Sequence, residues 1–360
     1  MSCTMPSLKI VRTIHPVGQG AFYSETFTSE GFGHLLSVVY DCGSSTGKKI
    51  IEPMIEKLEC FGLLFISHFH NDHINMVEKL LDKNDAALVV IPGVNHCRFL
   101  VDLISNFLHT GSASTSSILF MLRCIAALKT PKSSDGIFLQ GDLSSKCCTP
   151  KGIIALAPSF TLNIASPSYN WCYDACYNEY NTSKETELIK KLATIIPSLK
   201  EILNNPNEYR DTVWYQEHLL IELSGLKEAG LSQIKKVYSE VFGEIKHNSY
   251  SMLVHSHSLN GDVANSDCLY TGDIEITNQV KTTIQDLNPH YIQVPHHGSE
   301  ENHDRAAYHR RQIAFISVGT SNTYGHPGVK VLMDLLQTCQ YIHVVTEQKG
   351  TRFKRSFKIL

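Results

Sequence analysis

Short apolar runs that end in ionisable residues are the feature that most restricts what this chain can fold into. Residues 62–66 (GLLFI) lead directly to His68, and residues 291–294 (YIQV) lead to His296. Apolar runs this short are typical of buried β-strands, whereas helices need longer segments with a different spacing. Because α/β folds place their sites at strand ends, the pattern predicts an α/β protein with a site at a sheet edge.

The rest of the chain extends this alternation. Helical spacing occurs at 48–60, 74–81 and 117–128. Further strands are predicted at 8–15, 35–40, 86–91, 153–157, 160–164, 250–254, 268–270, 313–318 and 341–346. Residues 176–246 are charged and mostly helical in spacing, so we predict one domain, 1–360, with a helical insertion over 176–246. The insertion could act as a lid, as a homodimer surface or as an arm that docks a protein partner.

The composition fits a folded protein, since 42% of the 360 residues are hydrophobic and 19% are charged. The net charge of −3 provides no overall basic field, so it does not favour non-specific nucleic-acid binding, although a local basic groove would suffice. The N-terminus does not read as a signal peptide, and no stretch is apolar enough to span a bilayer. We therefore expect a cytoplasmic protein with no membrane span.

The 11 cysteines are scattered and show no disulfide framework, which favours reduced, buried thiols. Cys172 and Cys176 have the spacing that one helical turn would bring together at a shared metal ion. No second Cys/His pair lies near them in the sequence, so we predict no metal site there.

The densest group of metal-ligand side chains is the run His68-x-His70-x-Asp72-His73. Imidazole nitrogen and carboxylate oxygen are ligands of zinc, and manganese also accepts them. In an extended segment His68 and His70 point the same way and can reach one ion. Asp72 and His73 fall in the first turn of the next helix and face a neighbouring point. The motif therefore predicts a centre for two metal ions, because ordinary packing does not explain so many ligands in one run.

Residues at other strand ends could complete this centre. Asp273 follows a strand and a glycine, where its carboxylate could bridge two ions, although turn aspartates are common. His296 and His297 are adjacent and point to different sides, so we expect one to bind metal and the other to face the substrate. Asp41 closes an early strand, where it either orients a ligand histidine or forms a turn.

These motifs resemble a known family. The HxHxDH run resembles the signature of the metallo-β-lactamase superfamily. The remaining motifs occur in an order that resembles the soluble hydrolase domain of the ComEC-type DNA-uptake proteins and their free-standing relatives. They are VGQG (17–20), YDCG (40–43), TGDIE (271–275), PHHGS (295–299), ISVG (316–319) and YGHP (324–327). The resemblance covers roughly residues 8–155 and 248–355.

The resemblance implies an αββα sandwich with the site at one edge of two sheets. It also implies hydrolysis, often of a phosphodiester and including that of nucleic acid. His68 and His70 would hold one ion. Asp72, His73 and His297 would hold the other. Asp273 would bridge the two, and His296 and His326 would lie near the substrate.

The chain also departs from the family pattern. It has no channel segment, and Ala21 stands where the family usually has an aspartate. Many members have a further histidine ligand before the bridging aspartate, but residues 164–168 (IASPS) contain none. One ion therefore remains an alternative to two. His96 and His109 are substitutes to consider, although each is better explained as an ordinary surface or packed histidine.

The resulting hypothesis is hydrolysis by metal-bound hydroxide, because an ion lowers the pKa of its water toward about 7. Asp72 or Asp273 would orient that hydroxide. His296 or His326 would protonate the leaving oxygen, and Ser299 and Asn322 would donate hydrogen bonds to phosphate.

Three alternatives remain open. The first is hydrolysis of a small ester, lactone or phosphorylcholine-like substrate. The second is a glyoxalase-type or redox-type enzyme, although no flavin-binding stretch is visible. The third is a catalytically silent binding or regulatory subunit. An aromatic cluster assigned to the insertion could stack on bases or choline, or simply pack. Its members are Tyr169, Trp171, Tyr173, Tyr177 and Tyr180.

Overall fold

The computed structural model describes residues 8–30, 33–59, 61–83, 88–130, 137–140, 152–156, 159–166, 169–177, 183–206, 208–242, 250–258 and 265–359. This part of the chain is a mixed α/β protein with two mixed sheets. The strands are β1 (Leu8–Ile14), β2 (Phe22–Ser29), β3 (Gly33–Cys42), β4 (Leu63–Phe65), β5 (Leu88–Pro92), β6 (Ile137–Gln140), β7 (Gly152–Leu156), β8 (Ser159–Ser166), β9 (Tyr169–Cys176), β10 (Leu253–Ser258), β11 (Cys268–Tyr270), β12 (Tyr291–Gln293), β13 (Ile313–Ser317), β14 (Tyr341–Val345) and β15 (Phe353–Ile359).

Helices connect and cover these strands. They are α1 (Lys48–Lys57), α2 (Asn71–Ile74), α3 (Val77–Lys83), α4 (His96–Thr110), α5 (Ser116–Leu128), α6 (Ser183–Leu192), α7 (Leu199–Asn204), α8 (Thr212–Trp214), α9 (Ile221–Gly225), α10 (Glu228–Phe242), α11 (Asn278–Leu287) and α12 (Val329–Thr338). A π-helical segment, Tyr215–Leu220, joins α8 to α9. Within the described residues, no helix combines the length and the apolar character that crossing a membrane requires.

The strand order brings the predicted strand ends together. The first sheet runs β15-β1-β2-β3-β4-β5-β7 and is antiparallel as far as β3 and parallel from β3 to β7. The second runs β14-β13-β12-β11-β10-β9-β8-β6, with β11 to β14 parallel. Parallel neighbours end at the same edge, so the residues after β3 and β4, and those after β11 and β12, are placed side by side.

Apolar side chains pack in three layers. One cluster lies between the two sheets and includes Tyr23 and Tyr40 from the first sheet and Tyr270 and Phe315 from the second. A second cluster joins the first sheet to α1, α3, α4, α5 and the insertion helices. A third joins the second sheet to α11 and α12. Central strands are therefore buried on both faces, which explains why they appear in the sequence as unbroken apolar runs.

Helices α6 to α10 lie between β9 and β10 and form the insertion. The assignment of its aromatic cluster was wrong for Trp171 and Tyr173, which belong to β9 and are buried between the sheets. They are packing residues, as is Tyr177, whose hydroxyl donates to the carbonyl oxygen of Leu156. The side chain of Tyr169 and all of Tyr180 lie outside the described residues.

Candidate metal centre

The polar residues at four strand ends converge at one edge of the two sheets. Residues 67–70 leave β4 as an extended segment, and α2 begins at Asn71 with His70 as its N-cap residue. Asp273 follows β11, and His297 lies in a tight turn after β12. These short connections carry the metal-ligand side chains from both sheets into one place.

His68, His70 and Asp273 form one group that could hold an ion, with ligand atoms within 4.8 Å of one another. The Nε2 atom of His68 lies 3.7 Å from Oδ2 of Asp273. The rings of His68 and His70 have their centroids 4.4 Å apart and are steeply inclined to each other. This pairing follows from their alternate positions in the extended segment after β4.

Asp72, His73 and His297 form a second group of the same size. The Nε2 atom of His297 lies 3.2 Å from Oδ2 of Asp72. Asp273 approaches this group through its other oxygen, since Oδ1 lies 3.1 Å from Nε2 of His73 and 3.9 Å from Nε2 of His297. One carboxylate therefore contacts both groups, which is the arrangement expected of a bridging ligand.

The buried atoms at the centre fit a cation. His68 Nε2 is buried and has no hydrogen-bond partner among the described residues. The buried atoms His73 Nε2 and Asp273 Oδ1 have no partner there beyond their own 3.1 Å approach. Unpaired buried polar atoms are costly, and native structures rarely retain them without a ligand, ion or water. Imidazole nitrogens facing a shared carboxylate match the ligand preference of zinc.

Asp41 lies directly behind the centre. Its Oδ2 atom accepts hydrogen bonds from Nδ1 of His73 at 2.8 Å and from the Ser67 hydroxyl at 2.7 Å, and its Oδ1 atom accepts from the Ser67 amide. The bond from Nδ1 leaves Nε2 of His73 free to bind an ion. Ser67, which the sequence analysis missed, also contacts Nδ1 of His68 at 2.9 Å.

The two adjacent histidines have separate roles. His297 is buried, and its Nδ1 donates to the carbonyl oxygen of Ser317 at 2.8 Å, so its Nε2 faces the centre. His296 is part-exposed, and its Nδ1 lies 2.9 Å from Oδ1 of Asn302. Both histidines have positive φ, 47° for His296 and 55° for His297. Non-glycine residues rarely adopt this backbone, and such strain is concentrated at functional sites.

Two glycines of the sequence motifs permit close backbone contacts at the centre. A Cβ atom on Gly43 would lie 2.4 Å from the carbonyl oxygen of Asp72. A Cβ atom on Gly272, whose φ is +54°, would lie 2.2 Å from the hydroxyl of Ser251 and 2.7 Å from Cβ of Ser67. The YDCG and TGD motifs therefore need glycine for tight packing around Asp72 and His68.

Burial and charge oppose each other within the centre. Burial lowers the pKa of His68, and the neighbouring imidazoles of His73 and His70 lower it further. Burial also acts against charge on His73, but the carboxylates of Asp273 and Asp41 outweigh it and raise the pKa of His73. For Asp273 burial is opposed by His73, His296 and His297, and its pKa is lowered. The centre thus favours ionised Asp273 next to positive charge.

A cavity of about 420 Å³ opens onto the centre. His70, Asp72, Asp273, His296, His297 and His326 line it. The wall includes residues that the sequence analysis did not single out: Gln19 from the VGQG motif, Asn71, Asn106 of α4 and Tyr238 of α10. Gln19 could have been found from its motif, but the others carried no sequence signal. Because Tyr238 belongs to the insertion, the insertion forms part of the cavity wall.

Ser299 and Asn322 are predicted to bind phosphate, but neither side chain lines the cavity. Ser299 is buried, and its amide donates to the carbonyl oxygen of His296. The side-chain amide of Asn322 donates to the carbonyl oxygens of Gly319 and His326, and its Oδ1 accepts from the His326 amide. The geometry makes Asn322 a support for the loop that carries His326.

His96 and His109 also differ from each other. His96 is fully buried on α4, and its Nε2 lies 2.6 Å from the Tyr215 hydroxyl, so it is a packed histidine. His109, at the other end of α4, is exposed and lines the cavity. Neither belongs to the two three-residue groups.

No protein-family model matches the chain, and no curated protein matches it.

Proposed function

We propose that this protein is a hydrolase of the metallo-β-lactamase fold that cleaves a phosphodiester with two divalent metal ions, preferably zinc. The main observation in support of this proposal is that Asp273 contacts both three-residue groups. In this proposal His68 and His70 hold one ion, while Asp72, His73 and His297 hold the other. When bound, such ions lower the pKa of a coordinated water and neutralise charge on the phosphoryl group.

The layered cores support the fold part of the proposal. Apolar clusters follow the order helices, first sheet, second sheet, helices. That order is the one expected of an αββα sandwich, and the centre lies where the strand ends of the two sheets meet. The motif order along the chain agrees with the same assignment.

His296 is the residue we assign to proton transfer. The side-chain nitrogen of Asn302 donates to the carbonyl oxygen of Asp273 at 3.0 Å. The Oδ1 atom of Asn302 must therefore face His296 and accept a hydrogen bond from its Nδ1 atom. The Nε2 atom of His296 is left toward the cavity, 3.8 Å from Oδ2 of Asp273. When the ring is doubly protonated, Nε2 carries a proton that it can pass to a leaving oxygen. Burial, with the neighbouring charges of His296 and His297, lowers the pKa of His326 to about 4. A neutral His326 is a poor acid at neutral pH, so it serves better as a hydrogen-bonding neighbour of His296.

The cavity restricts the substrate. Its described wall contains no lysine or arginine, so positive charge for a phosphate would come from the ions. The volume of about 420 Å³ lies in the range of small-molecule sites. We therefore favour a phosphodiester whose cleaved phosphate enters this cavity, and Asp72 and Asp273 would orient the attacking water.

Asp273→Asn provides the direct test. Wild-type protein should lose phosphodiesterase activity toward bis(4-nitrophenyl) phosphate with chelator and regain it with zinc or manganese. The variant should lose at least one equivalent of metal by elemental analysis and lose activity at least 100-fold, because removing the shared carboxylate weakens both ion positions. Asp286→Asn, on the exposed face of α11, is the matched control and should change neither property.

Two results would overturn the proposal. Full activity of Asp273→Asn would exclude the bridging role, and metal-free, inactive wild-type protein would favour a silent binding subunit. Single-stranded DNA, a lactone and 4-nitrophenyl acetate should be assayed in parallel. Turnover of the ester or lactone without phosphodiester cleavage would reassign the substrate class.

A further inference from the structure

A second cluster of ligand side chains lies on the helix-facing side of the second sheet. Strands β9 and β10 are antiparallel neighbours, and their register places Cys172 opposite His257 and Asp174 opposite His255. Side chains alternate along a strand, so these residues share one face, while Trp171 and Tyr173 fill the core between the sheets.

The ligand atoms of Cys172, Asp174 and His257 lie within 4.8 Å of one another. The Nε2 atom of His257 is 2.8 Å from one oxygen of Asp174, and the sulfur of Cys172 is 3.5 Å from the other. Cys172 is only 1% exposed, whereas the side chains of Asp174 and His257 are 41% and 22% exposed. The cluster thus has a buried thiol at its base and an opening toward solvent.

A fourth residue, His255, lies beside this cluster. The ring of His255 stacks on that of His257, with centroids 4.6 Å apart and an interplanar angle of 18°. His255 is 7% exposed, and its Nδ1 atom is buried with no hydrogen-bond partner among the described residues. A buried imidazole beside the cluster restricts the orientation of His257, as neighbours of metal-binding histidines usually do.

We propose that Cys172, Asp174 and His257 form a separate zinc-type site that links β9 to β10. Thiolate, imidazole and carboxylate together are a ligand set that zinc accepts and that magnesium and calcium do not prefer. On binding, the Cys172 thiol releases its proton to solvent and a sulfur–metal bond forms, while the imidazole and carboxylate exchange their mutual hydrogen bond for metal bonds. Solvent can occupy the fourth position on the exposed side.

The site is independent of the proposed catalytic centre because the two share no residue and use different ligand chemistry. The two catalytic groups contain only histidine and aspartate, whereas this one contains a thiol. Burial, together with the charge of Asp174, raises the pKa of Cys172 to about 12. The metal-free residue is therefore a thiol, and a thiolate signal would report metal binding.

Cobalt(II) titration of the full-length metal-free protein tests the proposal. Cobalt bound to a thiolate gives a near-ultraviolet charge-transfer band that histidine and aspartate ligands do not give. In wild-type protein this band should grow as cobalt is added and stop growing when one cobalt ion per chain occupies the site. Cys172→Ser and His257→Gln should each abolish the band, and zinc should displace cobalt and remove it.

Cys176→Ser is the matched control, because Cys176 lies four residues along the same strand and is outside the cluster. That variant should retain the band. Asp273→Asn should also retain it, so loss of the catalytic centre and loss of this site are told apart. Absence of the band in folded wild-type protein, or its persistence in Cys172→Ser, would overturn the proposal. Far-ultraviolet circular dichroism would show that His257→Gln, at a part-exposed position, remains folded.

Discussion

At the level of single residues, Asp41 determines which ring nitrogen of His73 is available to bind an ion. Asp41 is fully buried and has φ 52°, and burial raises its pKa although His73 and Ser67 partly offset that effect. Its Oδ1 accepts from the Ser67 amide, and its Oδ2 accepts from His73 Nδ1. This bond fixes the imidazole tautomer whose Nε2 is free to bind metal.

Asp41→Asn should therefore weaken metal binding without removing a ligand. The asparagine oxygen can still accept from the Ser67 amide, but its NH₂ group would then face His73. That group favours a proton on Nε2 of His73, the atom that would bind the ion in the proposed centre. We expect metal affinity to fall by about 10–100-fold, as is usual when such supports of ligand histidines are lost.

Competition with a chromophoric chelator measures that change. Urea unfolding of the metal-free proteins provides the control, because it separates loss of affinity from loss of fold. Wild-type affinity in a folded Asp41→Asn protein would show that Asp41 only completes the turn after β3.

At the level of elements, the strand ends were predictable from the sequence and most of the cavity wall was not. Residues 62–66 and 291–294 could be identified because strands buried on both faces are continuously apolar. Strand β2, FYSETFTS, was missed because its alternation includes buried Ser24 and Glu25, which resemble surface residues in the sequence. Helix α4 was missed although its polar residues recur at helical spacing. Three of them, Arg98, Asp102 and Asn106, are buried in the structure and do not form a solvent-exposed face.

Contacts between distant elements were not predictable where no strand-end motif marks them. Cys172 and His257 lie on opposite sides of the insertion in the sequence, and only the pairing of β9 with β10 places them opposite each other. The cavity wall likewise combines Asn106 of α4 with Tyr238 of α10. Such contacts depend on sheet register and helix packing, which local sequence patterns do not specify.

The contact between α4 and the insertion should depend on pH through His96. Burial, with the charges of Arg210 and Lys129, lowers the pKa of His96 to about 4 from an ordinary value near 6.5. Between these two pH values, His96 therefore binds a proton more readily in the unfolded chain than in the folded chain. Stability from a neutral His96 is fully present above pH 6.5 and is lost as the pH falls toward 4, by about 3 kcal/mol at most.

His96→Gln should flatten this part of the pH dependence, since glutamine does not titrate and retains polar atoms that can reach the Tyr215 hydroxyl. Thermal unfolding of metal-free protein between pH 7.5 and about 4.5 measures the slope. His218→Gln, at an exposed position on the π-helical segment near Tyr215, is the matched control. An unchanged slope in His96→Gln would show that His96 binds protons equally in the folded and unfolded chains, and so that its burial does not oppose its charge.

At the level of the whole molecule, a buried carboxylate joins the two sheets. Glu25 of β2 is 2% exposed, and its Oε1 atom lies 2.6 Å from Nη2 of Arg12 in β1. From the second sheet, the hydroxyls of Tyr173, Ser256 and Tyr270 donate to the same carboxylate at 2.6, 2.7 and 3.0 Å. One carboxylate of β2 therefore accepts from donors on four other strands across the central core.

Glu25→Gln tests how far this network holds the sheets together. The amide keeps the shape of the carboxylate, but it leaves buried Arg12 without a counter-ion and directs an NH₂ group at hydroxyl donors. Breaking a buried pair from one side usually costs about 3–5 kcal/mol, which urea unfolding should show as a lower midpoint. Glu30 lies just after β2 and forms an exposed ion pair with Lys358. Glu30→Gln is therefore the control and should change stability by less than about 1 kcal/mol. If Glu25→Gln were as stable as Glu30→Gln, the attachment of the two sheets would depend on apolar packing alone.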